Sequence, residues 1–216
     1  MLKLSKTSKL DGILSWSLQA LETCPGSIGA DGALVPACAG CYATTGNYRY
    51  PNVKAPRAHN REDWQRDDWV SDMVQALDSQ RYFRWFDSGD MYSMQLAEKI
   101  LAVMQATPWV KHWLPTRMAK FAKFADVLER MRALPNVSVR FSSDSITGEH
   151  GPEHGSVIVQ HAEDAPSGSA VCRAYEHEGK CNGCRACWNT DVRVVAYVAH
   201  GKKIGKVYRT INIFKG

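Results

Sequence analysis

Seven cysteines in two tight groups constrain this chain more than any other feature of its sequence. The first group is Cys24, Cys38 and Cys41, and the second is Cys172, Cys181, Cys184 and Cys187. Soft thiolate ligands a few residues apart suit metal chemistry. An odd count, and a start without an apolar segment, argue against disulfides formed in an oxidising compartment. The pattern therefore predicts that metal organises the loops around both groups.

The second cysteine group is compatible with two metals. Four thiolates in a closed tetrahedron are a common structural zinc site. Three cysteines at consecutive gaps of two, from Cys181 to Cys187, are instead typical of the run that holds a [4Fe–4S] cluster in bacterial ferredoxins. The spacing favours the cluster, and zinc stays the alternative.

The first cysteine group offers only three thiolates. A [4Fe–4S] cluster held by three cysteines leaves one iron open to a substrate or cofactor, just as a catalytic zinc site keeps one position open. Such an open iron predicts a reaction at the cluster, with a small molecule or a nucleic acid as the substrate. A fourth ligand from elsewhere, such as His59 or a carboxylate, would instead give a closed structural site.

Composition places the chain among ordinary globular proteins. Its 216 residues, 44% hydrophobic and 23% charged, suffice for one sizeable core. The formal net charge of +5 fits an anionic partner such as nucleic acid without requiring one. No stretch approaches the roughly 20 apolar residues of a membrane span. We therefore expect a cytoplasmic protein with no membrane partner.

Apolar runs alternate with helical periods along the middle of the chain. Three helix faces are predicted, formed by Val70, Met73, Val74 and Leu77, by Leu96, Ile100 and Met104, and by Phe121, Phe124, Leu128 and Met131. Six strands are predicted at residues 13–18, 82–86, 110–114, 137–141, 157–160 and 192–198. The least regular stretches of the sequence are residues 24–60 and 147–190, and both exceed ordinary loop lengths.

The repeated strand–helix order predicts an α/β fold with a parallel sheet and right-handed crossovers, curled into a partial (βα) barrel. Residues 1–160 are expected to form this barrel and to carry the first cysteine loop, residues 24–41. Residues 161–216 are expected to complete the same domain as a cysteine-rich, iron–sulfur extension.

Polar residues follow most of the predicted strands. They are Asp87, Ser88 and Asp90 after the second strand, Arg117 after the third, and Ser143 and Asp144 after the fourth. Because the carboxyl ends of parallel strands meet at one edge, these side chains are expected beside the first cysteine group, where ligands bind. Any one of them could instead make a turn or cap a helix.

Six motifs resemble a phage-encoded protein family. They are LSWSL at residues 14–18, TCPG at 23–26, the CAGCYATTGNY segment at 38–48, WFDSGDMYS at 85–93, WLPTR at 113–117, and CRACW at 184–188. The resemblance covers nearly the whole chain. It implies a phage or prophage origin, iron–sulfur content and a location in the host cytoplasm.

The chain also resembles, more distantly, radical S-adenosylmethionine (SAM) enzymes, whose partial barrel carries a three-cysteine loop after the first strand. The resemblance implies that an open iron on Cys24, Cys38 and Cys41 would bind SAM and that an electron donor would supply the first cluster. Asp87, Ser88 and Asp90 would hold the amino group of SAM, Arg117 its carboxylate, and Ser143 and Asp144 its ribose. The second cluster would relay electrons or face the substrate.

A function from another class is a non-catalytic iron–sulfur protein that senses redox state or binds nucleic acid. The second activity is suggested by a basic stretch near the carboxyl terminus, comprising Lys202, Lys203, Lys206 and Arg209. Such a stretch is compatible with phosphate contacts, although it also suits a solvated face. A third possibility combines one cluster with a structural zinc ion.

Overall fold

An eight-stranded sheet organises the chain in the computed structural model, which describes residues 1–151 and 154–213. Its strands are β1 (Ser5–Lys6), β2 (Leu14–Trp16), β3 (Tyr82–Trp85), β4 (Lys111–Thr116), β5 (Val137–Ser142), β6 (Gly155–Val159), β7 (Ala170–Cys172) and β8 (Val194–Val198). They pair in the order β1-β2-β3-β4-β5-β6-β8-β7. Every pair is parallel except β1 with β2.

Six α-helices accompany the sheet in the described part of the chain. They are α1 (Pro36–Ala39), α2 (Pro51–Asp63), α3 (Trp69–Ala76), α4 (Met94–Ala106), α5 (Ala125–Arg132) and α6 (Lys202–Ile213). Local capping explains where α4 begins, since the Ser93 hydroxyl accepts a hydrogen bond from the Leu96 amide at 3.2 Å. Within the described ranges, no helix is both long enough and apolar enough to cross a membrane.

The parallel α/β class is confirmed, and all six predicted strands and three predicted helices are present. The third helix begins later than its apolar period suggests, because residues 118–124 form short 3₁₀ turns. Residues 24–60 are more regular than their sequence suggests, since α1 and α2 lie there. Strands β1 and β7 are unpaired on their outer edges in the described residues. Curling into a partial barrel therefore stays a prediction.

Helix α2 was not predicted from the sequence because its buried side is polar. The side chains it buries are Arg57, Asn60 and Asp63, spaced at helical intervals. The Asn60 amide donates to the carbonyls of Lys3 and Ser17, at 3.0 Å each. Hydrogen bonds thus dock this helix where apolar packing usually would, and no hydrophobic period marks it.

The main core lies between the sheet and helices α3, α4 and α5. Its centre is a set of fully buried tryptophans, Trp16, Trp69 and Trp85. Trp16 meets the other two edge-on, with ring centroids 5.4 Å and 6.2 Å apart. Edge-on contacts between large rings add to the free energy that their burial contributes. This core fixes the strands whose ends carry the candidate site.

His112 sits neutral inside this core. Its Nδ1 accepts from the Trp85 indole at 3.3 Å, and its Nε2 lies 2.9 Å from the Thr107 hydroxyl. That hydroxyl already donates to the Val103 carbonyl at 2.7 Å, so Nε2 carries the proton and donates. Burial lowers the pKa of His112 to about 3, since a second proton would find no acceptor.

We expect the free energy of unfolding to fall as the pH is lowered from 6.5 towards 3. The unfolded chain takes up a proton at His112 in that window, whereas the folded chain does not, so the contribution is complete above pH 6.5. Between pH 6.5 and about 5, the loss should reach about 2 kcal/mol. Urea titrations of the wild type and His112→Gln at several pH values would measure it. A wild-type slope no steeper than the variant's would contradict the expectation, and His161→Gln, at an exposed histidine, is the control.

Candidate metal centres

The first cysteine loop is held between the carboxyl ends of the strands and helix α6. Cys38 lies in α1, whose Ala37 amide donates to the Asp144 carbonyl at 2.9 Å. A Cβ added to Gly40 would lie 3.1 Å from the Ile204 Cα, so glycine is what lets α6 approach this turn. Two separate parts of the chain therefore fix the backbone around Cys38 and Cys41.

The three thiols of this loop are free and interact with one another. Burial, together with the neighbouring Asp90, Cys38 and Cys41, raises the pKa of Cys24 to about 12. Burial also raises the pKa of Cys38, against the lowering effect of Arg117. Buried thiols in mutual electrostatic contact favour their neutral form until a cation takes them up.

Two basic side chains flank the loop. The Arg117 guanidinium donates to Asp144 from Nε at 3.2 Å and to the Ser143 carbonyl from Nη2 at 2.8 Å. Lys120 donates to the Gly26 carbonyl at 2.9 Å and pairs with Asp144. A Cβ on Gly26 would lie 2.5 Å from the Arg117 Cβ, so this contact also requires glycine. Two cations thus lie at a loop that would carry negative charge once its thiols ionise.

The segment after β3 is buried and tied to other parts of the protein. Asp87 accepts from Arg84 at 3.0 Å, from Arg57 at 3.4 Å and from the Tyr48 hydroxyl. The Ser88 hydroxyl accepts from Arg57 at 2.6 Å and donates to the Leu18 carbonyl at 2.7 Å. The side chains of Asp87 and Ser88 therefore already have hydrogen-bond partners within the protein.

Asp90 joins the ends of β3 and β4 beside Cys24. One carboxylate oxygen accepts from the Thr116 hydroxyl and the Met91 amide, both at 2.8 Å, and the other accepts from the Arg117 amide at 2.9 Å. Burial raises its pKa, although these donors oppose the shift. The preceding Gly89 has φ +82°, and a Cβ there would lie 2.5 Å from the Leu18 Cβ. The positive φ and the close approach of Leu18 therefore both require glycine at this turn.

The structure brings four of the six predicted strand-end residues into one chain of contacts. Asp90 contacts Arg117, Arg117 contacts Ser143 and Asp144, and the cysteine loop lies against this chain of contacts. Their role as cofactor ligands stays a prediction, since their polar atoms already bond to the protein. His59 lies elsewhere, 3.0 Å from the Met1 carbonyl and 3.4 Å from Asp63. The structure thus gives no support to His59 as a fourth ligand.

The second cysteine group is hydrogen-bonded to the start of the chain. The Cys181 amide donates to the Lys9 carbonyl at 2.7 Å. The Asp11 carboxylate accepts from the Gly183 amide at 3.0 Å and from Arg185 at 2.9 Å. These bonds fix the turn of residues 181–185 against residues 9–11.

The thiols of the second group also interact electrostatically. Burial, with a contribution from Cys172, raises the pKa of Cys187 to about 11. The pKa of Cys181 is raised by burial, with contributions from Cys172 and Cys184. All four are free thiols within one neighbourhood.

A fully buried arginine clamps this second loop. Arg140 on β5 donates to four backbone carbonyls at 2.8–2.9 Å, those of Ala186, Cys187, Asn189 and Val192. Nearby, the Trp188 indole donates to the Phe83 carbonyl at 2.8 Å. Sequence reasoning missed Arg140, although a charged residue inside an apolar predicted strand was a signal.

Arg84 on β3 lies between the two cysteine groups. Its guanidinium stacks over the Trp113 ring at 4.5 Å, pairs with Asp87 on one side, and lowers the pKa of Cys187 on the other. Trp113 packs in a cluster that includes Cys181 and Cys187. The Nε of Arg84 and the indole nitrogen of Trp113 are buried and lack a hydrogen-bond partner in the described part of the chain. Two N–H donors beside the second group therefore remain available to an acceptor.

Within the ranges described, no three His, Cys, Asp or Glu side chains are arranged to hold a metal ion. A tetrahedral zinc site would place its sulfurs about 3.8 Å apart, given a Zn–S bond of about 2.3 Å. A [4Fe–4S] cluster binds each thiolate through a different iron, so its ligand sulfurs lie further apart than those around one ion. Metal binding at either cysteine group, and the choice between a cluster and zinc, therefore stay predictions.

Comparison with known proteins gives one result. A family model described as Gene product 88 matches residues 2–206, nearly the whole chain. No curated protein and no solved structure shows a significant match to this chain.

Proposed function

We propose that this chain, which belongs to the gene product 88 family of phage-type proteins, is an iron–sulfur protein with two cluster sites. Cys24, Cys38 and Cys41 would hold a [4Fe–4S] cluster with one iron open. The four cysteines of the second group would hold another. The observation that carries the proposal is the gathering of seven free thiols into two electrostatically coupled groups, each with cations beside it.

At the first site, the surrounding residues support a cluster with an open corner. Arg117 and Lys120 would offset the negative charge of three thiolates, as charged neighbours do at other metal sites. Asp90, the carboxylate beside Cys24, has donors on both oxygens and would not need to take the fourth position. When bound, such a cluster supplies one electron and a coordination position for a substrate.

At the second site, the surroundings suit an anionic group rich in sulfur. Arg84 and Arg140 are buried cations, and two unpartnered N–H donors, on Arg84 and Trp113, lie in the same region. Hydrogen bonds to cluster sulfurs are one of the means by which proteins tune such centres. Zinc stays the alternative here, because a zinc tetrathiolate also carries negative charge.

Use of SAM is a finer proposal that rests on the distant resemblance to radical SAM enzymes. Its binding would require Asp87 and Ser88 to exchange partners, since Tyr48, Arg57 and Arg84 now bond to them. A redox-sensing protein without catalysis needs no such exchange. The two functions therefore differ in an observable property, namely a response of the cluster to SAM.

Anaerobic reconstitution with iron and sulfide tests the proposal. We expect about eight irons per chain for two [4Fe–4S] clusters, measured together with sulfide, zinc and the electron paramagnetic resonance spectrum. About four irons with one zinc would support the mixed site instead. A chain that takes up no iron would overturn the proposed function. A spectral change on adding SAM supports the enzyme, and its absence removes SAM from the proposal.

A further inference from the structure

Two long segments of the chain contain no acidic residue. Residues 32–61 include Arg49, Lys54, Arg57 and Arg61, and residues 192–213 include Lys202, Lys203, Lys206 and Arg209. With 22 acidic residues in the whole chain, both segments depart from its general mixture of charges. Each is therefore a candidate for contact with an anionic partner.

The fold brings these two segments together at the first cysteine loop. Helix α6, from the second segment, packs against α1, which carries Cys38. Lys203 on α6 donates to the Thr44 hydroxyl at 2.5 Å, three residues beyond Cys41. The two acid-free segments thus meet at the first cysteine loop, between α6 and residues 36–44.

Five cations of these segments face solvent without an acidic partner among the described residues, whereas Arg57 is buried against Asp87 and Arg61 pairs with Glu22. Lys202, Lys206 and Arg209 are exposed at helical intervals along α6, and none has an acidic partner among the described residues. Exposed Arg49 and Lys54 have none either, again within those residues. The acidic groups that reach α6, Glu149 and Asp164, act on Tyr208 at its buried side. Because Lys54 shares a cleft with Glu22 and Glu62, the uncompensated positive charge is concentrated along α6 and at Arg49.

Exposed aromatic rings accompany the cations. Tyr50 is 59% exposed and lies between Arg49 and Lys54 in the chain. Tyr42, 55% exposed, directly follows Cys41. Large exposed rings interleaved with unpaired cations are the pattern that binds single-stranded nucleic acid, because bases stack on the rings while cations follow the phosphates.

We infer that Arg49, Tyr50, Lys54, Lys202, Lys206 and Arg209 form a binding surface for single-stranded nucleic acid. Its position beside Cys41 and Tyr42 would present a bound strand to the first cysteine group. That second statement rests on the proposed function, whereas strand binding does not. The substrate class of the cluster site is then a nucleic acid strand.

Binding of an oligothymidine strand of about 20 nucleotides, followed by fluorescence anisotropy over a range of salt concentrations, tests the inference. Each phosphate contact contributes about 0.7 to the slope of log K against log salt for a single strand. Replacing Lys202, Lys206 and Arg209 together by alanine should therefore lower the slope by about 2. Tyr50→Ala should weaken binding at least about fivefold through lost stacking.

Matched controls come from the opposite end of the sheet and from another exposed tyrosine. Lys6, Arg81 and Lys111 are exposed cations near the amino ends of β2, β3 and β4, and their triple alanine variant should keep the wild-type slope. Tyr175→Ala, at a ring 42% exposed, should bind as the wild type does. Equal slopes in both triple variants, no strand binding, or binding only to anionic lipid vesicles would overturn the inference.

The same measurements separate failure of this inference from failure of the proposed function. Iron uptake without strand binding leaves the clusters and removes the nucleic acid surface. Strand binding by a chain that takes up no iron leaves the surface and removes the clusters. If the variant without the α6 cations keeps its iron but no longer binds the strand, the result supports both the clusters and the nucleic acid surface.

Discussion

Replacing Cys24, Cys38 and Cys41 by serine is expected to halve the iron content of the reconstituted protein, from about eight to about four atoms per chain. The hydroxyl of serine is a far poorer ligand for iron than a thiolate. The matching variant of the second group, with Cys181, Cys184 and Cys187 changed to serine, should retain the other four. Iron, sulfide and zinc analysis of both purified variants measures the effect.

The two cysteine variants also identify the metal at each site. A second-group variant that loses zinc and keeps all its iron would assign zinc to that site. A first-group variant with undiminished iron would contradict the open cluster altogether. Retained nucleic acid binding in both variants would show that loss of metal had not unfolded the surface formed by α6 and residues 49–54.

Arg140→Met is expected to give the largest loss of stability of any single substitution considered. Its guanidinium donates to four carbonyls of residues 186–192, and methionine would leave them without donors in a buried place. Unpaired buried polar groups cost about 1–3 kcal/mol each, so we expect a loss of at least about 3 kcal/mol. Urea unfolding followed by tryptophan fluorescence measures it.

Arg130→Met is the matched control for the Arg140 substitution. Arg130 is half-exposed on α5 and pairs with Glu98 at 2.8 Å and Asp126 at 3.3 Å. Exposed ion pairs contribute little, so this variant should unfold close to the wild-type midpoint. Equal stability of the two variants would show that the Arg140 clamp is not needed to hold the second cysteine loop.

Periodicity revealed the elements that bury apolar faces and missed those that do not. Helices α3 and α4 were predicted because residues such as Met73 and Ile100 repeat at helical spacing. Helix α2 buries Arg57, Asn60 and Asp63, so its sequence carries no such signal. Helix α6 also carries an apolar period, in Ile204, Val207, Tyr208 and Ile211, alongside the lysines of its exposed side. Strands β1 and β7 are too short for alternation to mark them.

The candidate site was predictable at the level of strand ends and not at the level of contacts. Parallel strands bring Asp90, Arg117 and Asp144 to one edge whatever the packing, so their grouping followed from the order of elements. The hydrogen bonds that the site residues make depend on side chains from distant parts of the sequence, such as Arg57 and Tyr48. No local sequence pattern predicts that these side chains lie at the site. The contacts of Arg84 and Arg140 were unpredictable for the same reason. The partners of a single charged residue in a strand depend on how the strands pair, which the local sequence does not determine.

The contact between the second cysteine loop and the start of the chain has a consequence for how the protein is made. The Asp11 carboxylate bonds to the Gly183 amide, 172 positions later in the sequence. During synthesis, residues 9–11 can therefore form these contacts only after nearly all of the polypeptide has left the ribosome. Such long-range closure slows folding and leaves apolar surface open to aggregation meanwhile. Expression at low temperature or with abundant chaperones should accordingly raise the yield of native protein.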